Sequence, residues 1–337
     1  MKKIIVLILT LSMSVAVLAG CGAGSAAGGA VKTGLGVVSS IAKSADVTAE
    51  KEGLAEVNST VAAVTVDKDG KIVKCEIDVA QTKINFSAEG KITTPLDGEF
   101  KTKQELGEAY GMKKASGIKK EWNEQADAFA AYVAGKTLEQ VKGIAINAEG
   151  VPTGSDLTSS VTVHITDLTA AIEKAVNNAK DLGAKAGDKL GLGIVTTINK
   201  STDATAEKEG LAQAYSMYTA TTFAADGKIT SSVIDSSQSN VNFTTDGKIT
   251  SDLKAELKTK NELGDAYGMR KNSGIKKEWN EQAAAFAAYT VGKTAAQVKG
   301  VAVNAEGVPT ASELTSSVTV HITDFLTIIE KASANAK

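Results

Sequence analysis

A chain of 337 residues is long enough to bury more than one apolar core, and its two cysteines exclude a disulfide framework as the source of stability. Lysine and arginine total 37 against 39 aspartate and glutamate, a formal charge of −2. No basic block runs along the chain, which excludes the electrostatic footprint of a nucleic-acid-binding protein.

The N-terminus carries Lys2 and Lys3, an apolar run from Ile4 to Val17, and then Leu18-Ala19-Gly20-Cys21. That order is an export signal: the apolar stretch is short for a membrane span, and a small-residue cleavage site follows it directly. Leu-Ala-Gly-Cys resembles the lipobox of bacterial lipoproteins. The resemblance implies a signal peptide over residues 1–20 and a mature chain beginning at Cys21, whose thiol carries a fatty acid such as palmitate. Acyl chains contribute about 0.8 kcal/mol per buried methylene, and two or more give stable anchoring where one does not. The expected location is the extracytoplasmic face of the cell membrane, anchored by lipid at Cys21. Losing Lys2 and Lys3 with the signal takes the formal charge from −2 to −4. Residues 21–32 are nearly all Gly, Ala and Ser, the composition of a flexible tether. With Cys21 committed to lipid, Cys75 has no intramolecular disulfide partner.

The rest of the chain repeats itself. Thr48 to Ala55 returns unchanged as Thr205 to Ala212, Ser116 to Ala126 as Ser273 to Ala283, and Leu157 to Asp167 as Leu314 to Asp324, always at an offset of 157 residues. The period is domain-sized, far longer than a solenoid repeat. Two tandem homologous domains are expected, over residues 33–180 and 187–337, with the Gly-containing segment Asp181–Gly187 as a short hinge.

Within one copy, Ala62, Val64 and Val66 alternate with their neighbours, Asp69-Gly70 intervenes, and Val73, Cys75 and Ile77 alternate again, a hairpin signal. Ile84, Phe86 and Ile92 repeat the pattern around Glu89-Gly90. The period then changes: Trp122, Ala126, Phe129 and Val133 fall at helical intervals, with Gly135 as the stop. A short helix follows, with Thr137 as N-cap and Gln140 as its capping-box partner. Ile144–Ile146 and Val161–Ile165 read as strands, and Leu168, Ile172, Ala175 and Ala179 mark a closing helix. The expected class is α+β, each domain an antiparallel β-meander with packed helices.

The common catalytic sets are missing from this pattern. His164 and His321 are one position in two copies, so no domain can assemble a His-based metal cluster, and no metal site is expected. Gly135-Lys136-Thr137 lacks the glycine five residues upstream that a phosphate loop requires, Ala130 standing there, and is a helix stop followed by a cap. Glu121 and Glu124, beside Lys119 and Lys120, read as a solvated helix face rather than an acid/base pair. Trp122 and Trp279 are compatible with either a core or a pocket wall.

One segment stands apart. Asp156-Leu-Thr-Ser-Ser-Val-Thr162 gathers four hydroxyl residues at the entry to the expected strand, on which Thr162, His164 and Thr166 share one face and Val161, Val163 and Ile165 the other. The segment resembles the flavinylation signature of the FMN-binding domain family, commonly Asp-x-x-(Ser/Thr)-Gly-Ala-(Thr/Ser), whose final hydroxyl carries FMN through a phosphoester. The resemblance implies Thr162 as acceptor, with Asp156, Ser159 and Ser160 completing the signature. In the second copy Thr319 is the acceptor, with Glu313, Ser316 and Ser317. Serines stand at the usual Gly position, Val161 and Val318 at the Ala position, and Glu313 at the Asp position. The segment Lys120 to Ala126 is also similar to a helix of the tandem flavin-bearing lipoproteins of Gram-positive extracellular electron transfer.

The resemblance implies one covalent FMN per domain, attached by a separate flavin transferase, and an electron carrier rather than a self-sufficient enzyme, working between redox partners it does not identify. The alternative is a non-redox surface binding or structural lipoprotein with degenerate domains of the same ancestry.

Overall fold

The computed structural model describes residues 28–337. The segment expected to be an export signal and Cys21 lie outside these residues. In each copy three long strands run antiparallel in succession: β1 (Ala30–Ser40), β2 (Gly53–Val66) and β3 (Ile72–Phe86) in the first, with β4 (Lys180–Lys185) returning after the helices. In the second copy the strands are β5 (Lys189–Thr197), β6 (Gly210–Phe223) and β7 (Ile229–Phe243). The expected Asp69-Gly70 hairpin is present, with Gly70 at φ 77° and Asp67 Oδ1 accepting from the amides of Asp69 and Lys71 at 2.9 Å. Pairing runs from Gly53 opposite Phe86 to Val66 opposite Ile72. The two sheets have orders β3-β2-β1-β4 and β5-β6-β7.

The helices of the first copy are α1 (Lys103–Leu106), α2 (Trp122–Val133), α3 (Leu138–Lys142) and α4 (Thr166–Asn177). Those of the second are α5 (Lys260–Leu263), α6 (Trp279–Thr290), α7 (Ala295–Lys299), α8 (Ser312–Thr315) and α9 (Thr323–Asn335). The Thr137–Gln140 capping box forms as its spacing requires. The class is α+β, with two similar halves. None of the helices is long and apolar enough to cross a membrane among the described residues.

Both faces of each sheet are covered. Ala62, Val64, Val66, Ile72 and Ile77 pack beneath Trp122, Phe129, Leu168 and Ile172 of their own helices. Their neighbours of opposite phase, Val61 and Ala63, join Leu35 and Val37 against Leu190, Leu192, Ile194 and Tyr218 of the other sheet. The result is four layers, helix, sheet, sheet, helix, with the two copies back to back. At the sheet–helix crossings the backbones nearly touch: a Cβ on Gly36 would lie 2.1 Å from the Ala171 carbonyl oxygen, and one on Gly193 would lie 1.9 Å from that of Ile328. Glycine on β1 and β5 is what lets α4 and α9 lie flat on the strands.

Several local expectations are corrected. The segment read as a hinge is mostly strand β4, hydrogen-bonded to β1, and β1 itself begins at Ala30, inside the stretch read as tether. Ile144–Ile146 and Val161–Ile165 are not strands. Ile146 makes only an isolated bridge with Pro152, and the second segment bonds to α2 instead of to a neighbouring strand. The facing was nonetheless right: Val161, Val163 and Ile165 are buried, and His164 and Thr166 exposed. Glu121 is no solvated side chain. It is 3 % exposed, caps α2, and accepts from the amides of Met112 and Lys113 at 2.8 and 3.0 Å.

Candidate functional site

In the second copy the helix-facing side of the sheet opens into a cavity of about 600 Å³. Gln213, Tyr215 and Met217 alternate along β6 and so present one face to it. Lys260 of α5 and Trp279 of α6 form walls, and Met269 and the loop Asn272–Gly274 close one side. Thr319 and His321, from the segment leading to α9, complete the lining. The volume is that of a small-molecule site.

The acceptor hydroxyls named from the sequence are held by a residue that the sequence reading passed over. Gln282, fully buried on α6, accepts through Oε1 from the Thr319 amide at 2.8 Å and from its hydroxyl at 3.2 Å. Its Nε2 is spent on Ser273 Oγ at 3.3 Å and the Lys277 carbonyl at 3.2 Å. Gln125 holds Thr162 in the same way, at 2.8 Å from the amide and 3.1 Å from the hydroxyl. With its proton donated inward, the Thr319 oxygen keeps its lone pairs for the cavity side. The signal was available: Gln125 lies three residues from Trp122 and four from Phe129, so a polar residue occupies the apolar stripe of the helix.

The other signature residues are more dispersed. Asp156 accepts from Tyr132 Oη at 2.7 Å and Glu313, in α8, from Tyr289 Oη at 3.4 Å, so each acidic residue ties its segment to the end of α2 or α6. Ser160 and Ser317 donate to the carbonyls of Leu157 and Leu314 at 3.1 Å. Neither has a positive φ, so serine at the usual glycine position strains nothing. Ser159 and Ser316 are exposed. A left-handed backbone does occur just before α2 and α6, at Lys119 and Lys276, both at φ 54°.

No protein-family model matches the chain. No solved structure matches it either. The chain is similar to chlorophenol reductase of Desulfitobacterium hafniense, at 32 % identity over 108 residues, covering 29 % of this chain and 33 % of that protein. It thus spans about a third of the length of that relative.

The electrostatics of the cavity centre on Lys260, which is 4 % exposed. Its Nζ lies 4.6, 4.7 and 4.9 Å from the ring centres of Tyr215, Tyr267 and Trp279, and donates to Tyr215 Oη at 3.1 Å. Burial pushes its ammonium down to about 8, opposed by the charge of Asp235. Among the described residues it has no carboxylate at ion-pair distance. A cation so buried, facing aromatic rings and unpaired, suits an anionic or electron-rich aromatic ligand. Lys103 stands at the same position in the first copy, 4.8 Å from the Tyr110 ring and 5.2 Å from that of Trp122. Cys75 takes no part in this chemistry, since burial pushes its thiol far above the usual range. Among the described residues no group of three or more His, Cys, Asp or Glu converges as a metal set.

Proposed function

We propose that the protein is a lipid-anchored extracytoplasmic flavoprotein that carries one FMN in each copy, esterified to Thr162 and Thr319, and relays electrons. One observation carries the reading. The last hydroxyl of the flavinylation-like signature, Thr319, lines a cavity whose walls include Trp279, Tyr215 and a caged lysine, as an aromatic anionic group requires. The similarity to a protein named as a reductase agrees with a redox role.

The isoalloxazine would supply the redox chemistry, and the chain supplies position and charge. Gln125 and Gln282 fix the two acceptor hydroxyls. Trp279 and Tyr215 offer ring faces, and Lys260, itself buried, holds a positive charge against them. Attachment falls to a separate flavin transferase using FAD and a divalent cation, and the anchor to Cys21.

Co-expression with a flavin transferase tests this. Intact-mass spectrometry of denatured protein is expected to show one FMN per copy. Thr162→Ala and Thr319→Ala each remove one, and serine at either position keeps it. An unmodified wild-type mass beside an active transferase control would rule out covalent attachment. Fatty-acid labelling that persists in Cys21→Ala would rule out the anchor.

A further inference from the structure

The positions that line the second-copy cavity have counterparts throughout the first copy, and between the two sets the formal charge differs at one position. Lys200, Lys260, His321 and Asp324 of the second-copy cavity have Lys43, Lys103, His164 and Asp167 as counterparts in the first copy. The exception is Gln213, whose counterpart is Glu56.

Glu56 is 5 % exposed on β2, and its Oε1 accepts from Asn58 Nδ2 at 2.8 Å and Gln81 Nε2 at 2.9 Å. Burial works against its charge, but those two hydrogen bonds and the charges of Lys83 and Lys43 outweigh it and leave the carboxyl below its ordinary value. It is therefore a carboxylate at neutral pH. The nearest countercharge, Lys83 Nζ at 3.8 Å, sits on a side chain 57 % exposed, where solvent screens it. In the second copy both members of that pair are neutral: Gln213 Nε2 donates to Asn240 Oδ1 at 3.0 Å. A further difference acts in the same direction. Tyr215, where the first copy has Asn58, covers Lys260 and shields that cation from water, while Lys103 remains only half-buried.

A flavin gains negative charge on reduction at neutral pH, so charge beside it sets its potential. A buried carboxylate disfavours the reduced form, and a buried cation favours it. We propose that Glu56 and Gln213 make the two flavin sites unequal, the first holding its flavin at the lower potential, so that electrons run from the first copy to the second. In that transfer the reduced flavin of the first site gives up two electrons and returns its protons to solvent. The oxidised flavin of the second takes up two electrons and draws its protons from solvent. This rests on the proposed function, because it presupposes a flavin in each copy.

The test is potentiometric and needs no activity assay. Flavinylated Thr319→Ala carries only the first flavin and Thr162→Ala only the second, so each midpoint potential is read from its own spectrum. The second site is expected to favour the reduced form at least tenfold over the first, about 30 mV for a two-electron couple. Glu56→Gln in the first background should raise that potential towards the second. Gln213→Glu in the second background should lower it, an independent check should the Glu56 variant fold poorly. Coincident wild-type potentials, or a first-site potential indifferent to Glu56→Gln alongside a second-site potential indifferent to Gln213→Glu, would overturn the inequality while leaving the flavoprotein reading intact. Absence of flavin from the wild type overturns both.

Discussion

Phe86 and Phe243 stack with ring centres 4.2 Å apart and planes 11° from parallel, and they are the same position in the two copies. A residue that meets its own counterpart marks a pseudo-twofold axis, and other contacts obey it. The Ala204 amide donates to the Gly90 carbonyl at 2.8 Å and the Val47 amide to that of Gly247 at 3.0 Å. Lys174 pairs with Glu262 at 2.6 Å and Lys331 with Glu105 at 2.5 Å. The chain is organised like an isologous dimer joined by a covalent link.

The apolar surface between the sheets therefore belongs to the stability of both halves. Phe86→Ala is expected to cost about 3–5 kcal/mol and to lower a single unfolding transition. Expressed alone, residues 28–186 expose Leu35, Val37, Val61 and Ala63. They should self-associate or lose cooperativity. Sedimentation velocity with a thermal melt decides it, and a cooperatively folding monomeric half would show the inter-sheet core to be dispensable.

Gly193 tests the sheet–helix crossing. A β-carbon there would meet the Ile328 carbonyl oxygen at 1.9 Å, and backbone cannot turn aside as a side chain can. Gly193→Ala should cost at least about 1–3 kcal/mol, the usual penalty of overpacking. Gly187→Ala, with open space around it, serves as the control in the same denaturant titration.

Asp78 and Asp235 give a pH dependence. Burial pushes both carboxyls up to about 7, against hydrogen bonds from neighbouring side-chain and backbone donors. A carboxyl with a raised folded-state pKa binds its proton more tightly folded than unfolded. Its contribution is full below about pH 4 and is lost as pH rises through about 7. The variant Asp78→Asn/Asp235→Asn should therefore gain on the wild type between pH 5 and pH 8, by roughly 2–3 kcal/mol per carboxyl and about 5 kcal/mol for the pair. Parallel urea melts at the two pH values measure it. A constant difference would place both carboxylates in the ordinary range.

The repeat, the hairpin and the amphipathic helices were legible because each leaves a period in the sequence. The second buried face of the sheets was not, since Val61 and Ala63 look like the small outward residues of a half-exposed strand until another sheet covers them. The cavity was half legible. Its threonine stood in a motif, but Lys260 and Tyr215 meet it only through tertiary packing, from residues 45 apart. Glu121 was misread because its lysine neighbours suggest solvent, whereas backbone amides of a preceding turn hold it inside.

Gln282 supplies the last test, because it joins the fold to the proposed chemistry. Its carbonyl oxygen accepts from the Thr319 amide, the Thr319 hydroxyl and the Val320 amide, at 2.8, 3.2 and 3.2 Å. Gln282→Leu keeps the bulk but removes the acceptor, at a stability cost of about 1–3 kcal/mol for the donors left unpaired. The hydroxyl also loses its fixed orientation, so FMN loading at Thr319 should fall about tenfold, roughly the worth of one hydrogen bond. Thr162 is an internal control in the same molecule, since Gln125 still holds it. Mass spectrometry of proteolytic peptides reads both sites from one sample. Equal loading of the two threonines in a folded Gln282→Leu protein would mean that the buried glutamine only supports the fold, whereas selective loss at Thr319 would make it the residue that presents the acceptor.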